Sequence, residues 1–139
     1  MKTEGRRFAV DANVIIRYLM RDDETLFRQA SAIMEALEDE RIALECDPVL
    51  LGEVIWVLSS YYKLAKADIS DKLQTLLKAS GFLIPNKDRY LRALELYAGP
   101  VPHFGDACAC AAALEECEGR LLSFDRELSA VEGIRRTES

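Results

Sequence analysis

One histidine stands in 139 residues, and no CxxC or Cys/His spacing accompanies it. That scarcity argues against a structural zinc site and offers no Cys–His or Ser–His pair for nucleophilic catalysis. No apolar run approaches the roughly 20 residues needed to cross a bilayer. The opening Met1-Lys2-Thr3-Glu4-Gly5-Arg6-Arg7 is followed by no signal-peptide core, so a cytoplasmic protein without membrane contact is expected. Basic charge is also short: 18 Lys and Arg face 24 Asp and Glu, a formal net charge of −6. This balance disfavours a protein that grips nucleic acid with a basic surface. A nucleic-acid enzyme whose acidic site is neutralised by divalent cations remains compatible with it. Repeats, low-complexity tracts and linker-like stretches are missing too. The chain therefore reads as a single domain over residues 1–139, with a polar tail from about 136.

Cysteines are few: Cys46, Cys108, Cys110 and Cys117. Two helical residues apart, Cys108 and Cys110 point to widely different faces, while Cys110 and Cys117 lie roughly 10 Å apart along a helix. Buried, reduced thiols account for all four.

What is present centres on Phe8-Ala9-Val10-Asp11-Ala12-Asn13-Val14-Ile15-Ile16-Arg17-Tyr18-Leu19. The short apolar run reads as a buried first strand, and Val14, Ile15, Tyr18 and Leu19 then take helical spacing. Asp11 sits at the hand-over, the edge where open α/β sheets bind ligands. Beyond it, Asp23 and its neighbours cap an amphipathic helix, and Ile42–Cys46 reads as a second strand. Asp47-Pro48 then starts a helix to about Tyr62 that is apolar almost all round, with Glu53 as its isolated charge. Asp68 is expected to cap the next helix, Phe82–Ile84 to form a third strand, and Asn86 or Asp88 to open a helix ended by Gly99. Asp106 lies near the start of a small-residue helix stopped by Gly119. Arg120–Phe124 reads as a fourth strand leading straight into Asp125, with an edge strand near Ile134. This β-α alternation predicts an α/β fold: a short, twisted parallel sheet with helices on both faces.

Taken singly, Asp106 is explained as an acid complementing a helix dipole, and Asp125 as a helix N-cap. Together the acids say more. Neighbouring strands are expected to bring Asp11 and Asp125 to one edge, with Glu53 and Asp106 projecting into the same mouth. Four carboxylates in a partly desolvated pocket repel strongly unless hard oxygen ligands are what the site requires. Mg²⁺ or Mn²⁺ suits such a set, and water activation for phosphodiester hydrolysis is the chemistry it supplies.

These residues resemble the four acidic motifs of PIN-domain ribonucleases: Asp11 in FAVDANVIIRYL, Glu53 in LLGEVIWVL, Asp106 in FGDACACAAA and Asp125 in LLSFDREL. The nearest likeness is to the VapC-type toxins of prokaryotic toxin–antitoxin pairs, and it runs from about Phe8 to Arg135. The resemblance implies a PIN-like three-layer fold and a Mg²⁺/Mn²⁺-dependent endoribonuclease, with Asp11, Glu53, Asp106 and Asp125 as catalytic and metal-holding acids. It also implies an RNA substrate, a homodimer, and a cognate antitoxin that blocks the acidic site. Asn13 matches a frequent Asn of the first motif that orders the site, and Ser123 matches a hydroxyl position before the last Asp. Ala12 and Gly105 depart from the usual residues, and neither touches an acid.

Competing readings fit less well. A HAD-type phosphatase needs a second Asp where this chain has Asn13. A response-regulator receiver needs a phospho-accepting Asp after a central strand, and Phe82–Ile84 leads to Pro85. A non-catalytic PIN-like binding module is the remaining alternative, and the presence of all four acids counts against it. His103, at a helix entry, reads as a capping or surface residue outside the site. Arg17, Arg21 and Arg126 are candidates for phosphate contacts at the rim.

Overall fold

The computed structural model describes residues 5–139. Met1–Glu4, on which part of the reading of the N-terminus rests, lie outside the described residues. β1 (Arg7–Ala9) hands over to α1 (Ala12–Leu19), and α2 (Glu24–Glu38) returns to β2 (Ala43–Glu45). Two helices, α3 (Pro48–Ser60) and α4 (Lys66–Leu77), lead to β3 (Phe82–Leu83). Then follow α5 (Lys87–Ala98), α6 (Phe104–Glu116), β4 (Arg120–Leu122), a 3-10 helix (Arg126–Ala130) and β5 (Arg135–Thr137). The α/β class expected from the pattern is present.

β1, β2 and β3 form one parallel ladder in that order, with Phe8 opposite Leu44 and Leu44 opposite Phe82. β4 pairs in parallel with β5, Leu121 standing opposite Arg136. This corrects the expectation that the strands carrying Asp11 and Asp125 are sheet neighbours: the two lie in separate ladders. Nor are those strands buried throughout. Arg7, Phe8 and Ala9 are all exposed, and Leu122 and Phe124 are 72% and 85% exposed. A three-residue strand at the end of a ladder has one unpaired edge and little cover. Only Val10 and Leu121 of these two runs are buried.

The core is built by helices packed across the sheet. In α3, Leu51, Val54, Ile55 and Leu58 fall at helical spacing and are all buried. They meet Ile15 of α1, Ile69, Leu73 and Leu77 of α4, Phe82 of β3 and Leu94 of α5. The opposite side of α3 carries Val49 and Trp56 to solvent, so its nearly continuous apolar sequence does not mean burial all round. Ala107, Cys110, Ala111 and Ala113 are the buried positions of α6, which packs against α5. Among the described residues, no helix is long and apolar enough to cross a membrane.

Several chain ends follow local chemistry. Asp23 caps α2 by accepting the Leu26 N–H at 3.0 Å. Asp47 caps α3 by accepting the Val49 N–H at 2.9 Å, with Pro48 at the first helical position. Asp68 is not the cap of α4. The helix is already under way at Lys66, with Ala65 at the cap, and Asp68 sits in the first turn, where its charge favours the positive helix end. α6 ends at Glu116 and Glu118 turns left-handed (φ 55); Gly119 follows at φ +84, and a Cβ there would stand 2.0 Å from the Gly133 carbonyl oxygen. Only glycine allows that approach, and directly beside it the Arg135 N–H donates to the Gly119 carbonyl at 2.7 Å. The tail is accordingly held: Arg135–Thr137 is a strand, and Arg136 Nη1 donates to the Ser123 carbonyl at 2.8 Å.

Candidate active site

Two of the four acids cap helical segments, and two stand within helices. Asp11 caps α1, its Oδ1 accepting the N–H groups of Asn13 at 2.9 Å and Val14 at 3.3 Å. Asp125 caps the 3-10 helix by accepting the Glu127 N–H at 3.0 Å. Its own N–H donates to the Ser123 hydroxyl at 3.0 Å, so Ser123 fixes the approach of that backbone. Glu53 projects from the solvent side of α3, and Asp106 lies half-buried in the first turn of α6.

Asp106 and Asp125 both lie within electrostatic reach of one buried thiol. Cys110, one turn beyond Asp106, is fully buried, and its thiol is pushed above its ordinary range. Burial is the main cause, and the negative charges of Asp106 and Asp125 add to it. Asp11 borders a cavity of about 200 Å³ and Glu53 one of about 370 Å³, and Asn13 and Arg17 line both. The hydrogen bond from Asn13 to Asp11 uses its backbone N–H, not its side chain. Among the described residues, no three Asp, Glu, His or Cys side chains close into a group able to hold a metal ion.

The four carboxylates share one further property. Arginines pair with Glu45, Asp22, Glu24, Asp39, Glu115, Glu116, Glu118 and Glu138; Asp11, Glu53, Asp106 and Asp125 have no cationic partner among the described residues, as is true of other acids such as Asp47, Asp71 and Glu95. By donor type they fit a hard divalent cation, which takes oxygen ligands and supplies the charge that they lack.

One polar chain escaped sequence reasoning. Arg17 Nη1 donates to Asp22 Oδ1 at 3.2 Å, and the Tyr62 hydroxyl donates to Asp22 Oδ2 at 2.6 Å. The Tyr62 hydroxyl, helped by Arg17, holds the Asp22 carboxyl below its usual range, and Asp22 in turn raises the phenol. Asp22 and Tyr62 lie 40 residues apart, and no local pattern links them. Arg21 is engaged elsewhere, paired with Glu24 at 2.8 Å and lying 4.4 Å over the Phe27 ring. Arg126 is exposed next to Asp125, and His103 is the exposed N-cap of α6 with no side-chain cap bond.

The thiols differ in exposure: Cys46 and Cys110 are buried, Cys108 is half-buried and Cys117 is exposed, the last against expectation. Burial raises Cys46 and Cys108 to about 11. At pH 8 a thiol of that kind is ionised to roughly one part in a thousand. Iodoacetamide at pH 8 is therefore expected to label Cys117 alone on the folded protein, and all four cysteines in urea. Mass spectrometry of the intact protein reads the count, and rapid labelling of Cys108 in the folded state would contradict the packing of α6.

Residues 8–134 match the family profile of the PIN domain. No curated protein matches the chain.

Proposed function

Because this chain belongs to the PIN-domain family, a nuclease-type fold, we propose that it is a Mg²⁺- or Mn²⁺-dependent endoribonuclease served by Asp11, Glu53, Asp106 and Asp125. The observation that carries this reading is the family match over residues 8–134, a span that holds all four carboxylates, none of them ion-paired among the described residues. A bound divalent ion would supply charge neutralisation at the scissile phosphate and a lowered pKa for the attacking water. The protein's part is to aim the acids. The caps fix the backbones of Asp11 and Asp125, and Ser123 holds the turn into the last acid. Glu53 borders the open cavity where a strand of RNA would enter.

The motif likeness extends the proposal to a VapC-type toxin working in the cytoplasm as a homodimer. Its antitoxin would place an Arg or Lys among the four acids, competing with metal and RNA together. One observation favours a second reading, a PIN-like binding module without catalysis. Asp11 and Asp125 are both satisfied as helix caps, and the acids do not close into a metal-holding group among the described residues.

Digestion of single-stranded RNA in Mn²⁺ or Mg²⁺, with and without excess EDTA, separates the two. Cleavage that EDTA abolishes is the expected result. Undiminished cleavage in EDTA would sink the metal mechanism, and binding without cleavage under any divalent ion would leave the module.

A further inference from the structure

We propose that the cavity beside Glu53 is a base-stacking subsite for one unpaired nucleotide flanking the cleaved bond, with Tyr61 as its platform and Arg17 as its polar contact. The proposal rests on the nuclease reading above and adds where the RNA strand is held. The cavity, of about 370 Å³, is lined by Asn13, Arg17, Asp22, Glu53, Tyr61 and Tyr62 among others. Tyr61 is 74% exposed, so core packing does not account for its ring. Tyr62 meets that ring edge-to-face, with centroids 4.8 Å apart and planes at 85°, and so fixes its attitude. Tyr62 is itself held through its hydroxyl on Asp22, and Asp22 is held by Arg17. An exposed aromatic face is thus braced by three further side chains next to a candidate catalytic acid.

Arg17 has capacity to spare. Its guanidinium carries five donors; Nη1 reaches Asp22, while Nε is buried without a partner among the described residues. A small shift towards an acceptor on a base or phosphate would satisfy a group that is costly to leave unpaired. The charge of the whole chain favours the same occupant. A net charge of −6 disfavours binding carried mainly by phosphate contacts. Stacking on aromatic rings, supplemented by arginine, holds single-stranded nucleic acid with less reliance on such contacts. A base in a duplex cannot enter such a cavity, so the subsite selects unpaired RNA.

The test compares wild type, Tyr61→Phe, Tyr61→Leu and Tyr61→Ala in steady-state cleavage of an unstructured fluorogenic oligoribonucleotide in Mn²⁺. Thermal melting confirms folding, which a largely exposed side chain leaves intact. Loss of the ring face in Ala and Leu is expected to raise KM about tenfold with little change in kcat, and Phe to stay within about twofold of wild type. Leu behaving like wild type would show a generic apolar contact and overturn stacking. Unchanged kinetics in Ala, together with a shift in elution volume, would reassign Tyr61 to a protein contact and overturn the subsite. Wild-type cleavage with all variants equal defeats the subsite alone. No cleavage by wild type defeats the nuclease reading and the subsite with it.

Discussion

Asp125→Asn and Asp106→Asn are expected to lower kcat/KM on RNA by about 10³-fold or more, with melting temperatures close to wild type. Asp11→Asn and Glu53→Gln are expected to follow them. The choice of Asn matters because Asp11 and Asp125 both cap helical segments through Oδ1. Asn caps a helix about as well as Asp, so the variant removes a charge and leaves the cap. Alanine removes both, and Asp11→Ala should lose about 1 kcal/mol of stability along with activity. The pair of substitutions therefore separates two roles that coincide in one carboxylate. Full activity in Asp125→Asn would remove that acid from the site. A large fall in melting temperature in Asp11→Asn, where the cap is kept, would make the Asp11 charge an ion-pair partner, against the lack of an ion pair to it among the described residues.

The site was legible where chemistry is written locally. A carboxylate at a strand-to-helix hand-over identifies Asp11, and the same device repeats at Asp125. Glu53 is recognisable as the one charge in an apolar helix, and Asp47-Pro48 fixes where that helix begins. Sheet pairing was less legible, because three-residue strands carry too little pattern to name their neighbours. Phe8 and Leu122 read as buried, yet both lie on ladder ends and face solvent. The edge strand expected near Ile134 lies at Arg135–Thr137 and reaches into the polar tail, because it is held by backbone pairing that begins at Gly119. The Arg17–Asp22–Tyr62 chain was invisible because it joins residues brought together only by the packed fold. Local spacing thus named the four acids as candidates, while the side chains that surround them required tertiary structure.

Mn²⁺ added to the metal-free protein is expected to raise its melting temperature by roughly 10 °C once the free ion exceeds its dissociation constant a hundredfold. Like charges left without cations oppose compaction, and an ion that binds only the folded chain removes that repulsion while adding its own binding free energy. Ordinary salt at equal ionic strength screens exposed charges but does not coordinate them, so NaCl should reproduce only a small part of the rise. The same comparison locates the ion. Asp125→Asn should lose most of the Mn²⁺-dependent rise, because it removes one of the four proposed ligand charges. Glu116→Gln, which removes a carboxylate already paired with Arg89, should keep it. Divalent stabilisation that is equal in Asp125→Asn and wild type would mean that the ion binds elsewhere on an acidic surface. The four acids would then stand together in the sequence pattern without acting together on a metal.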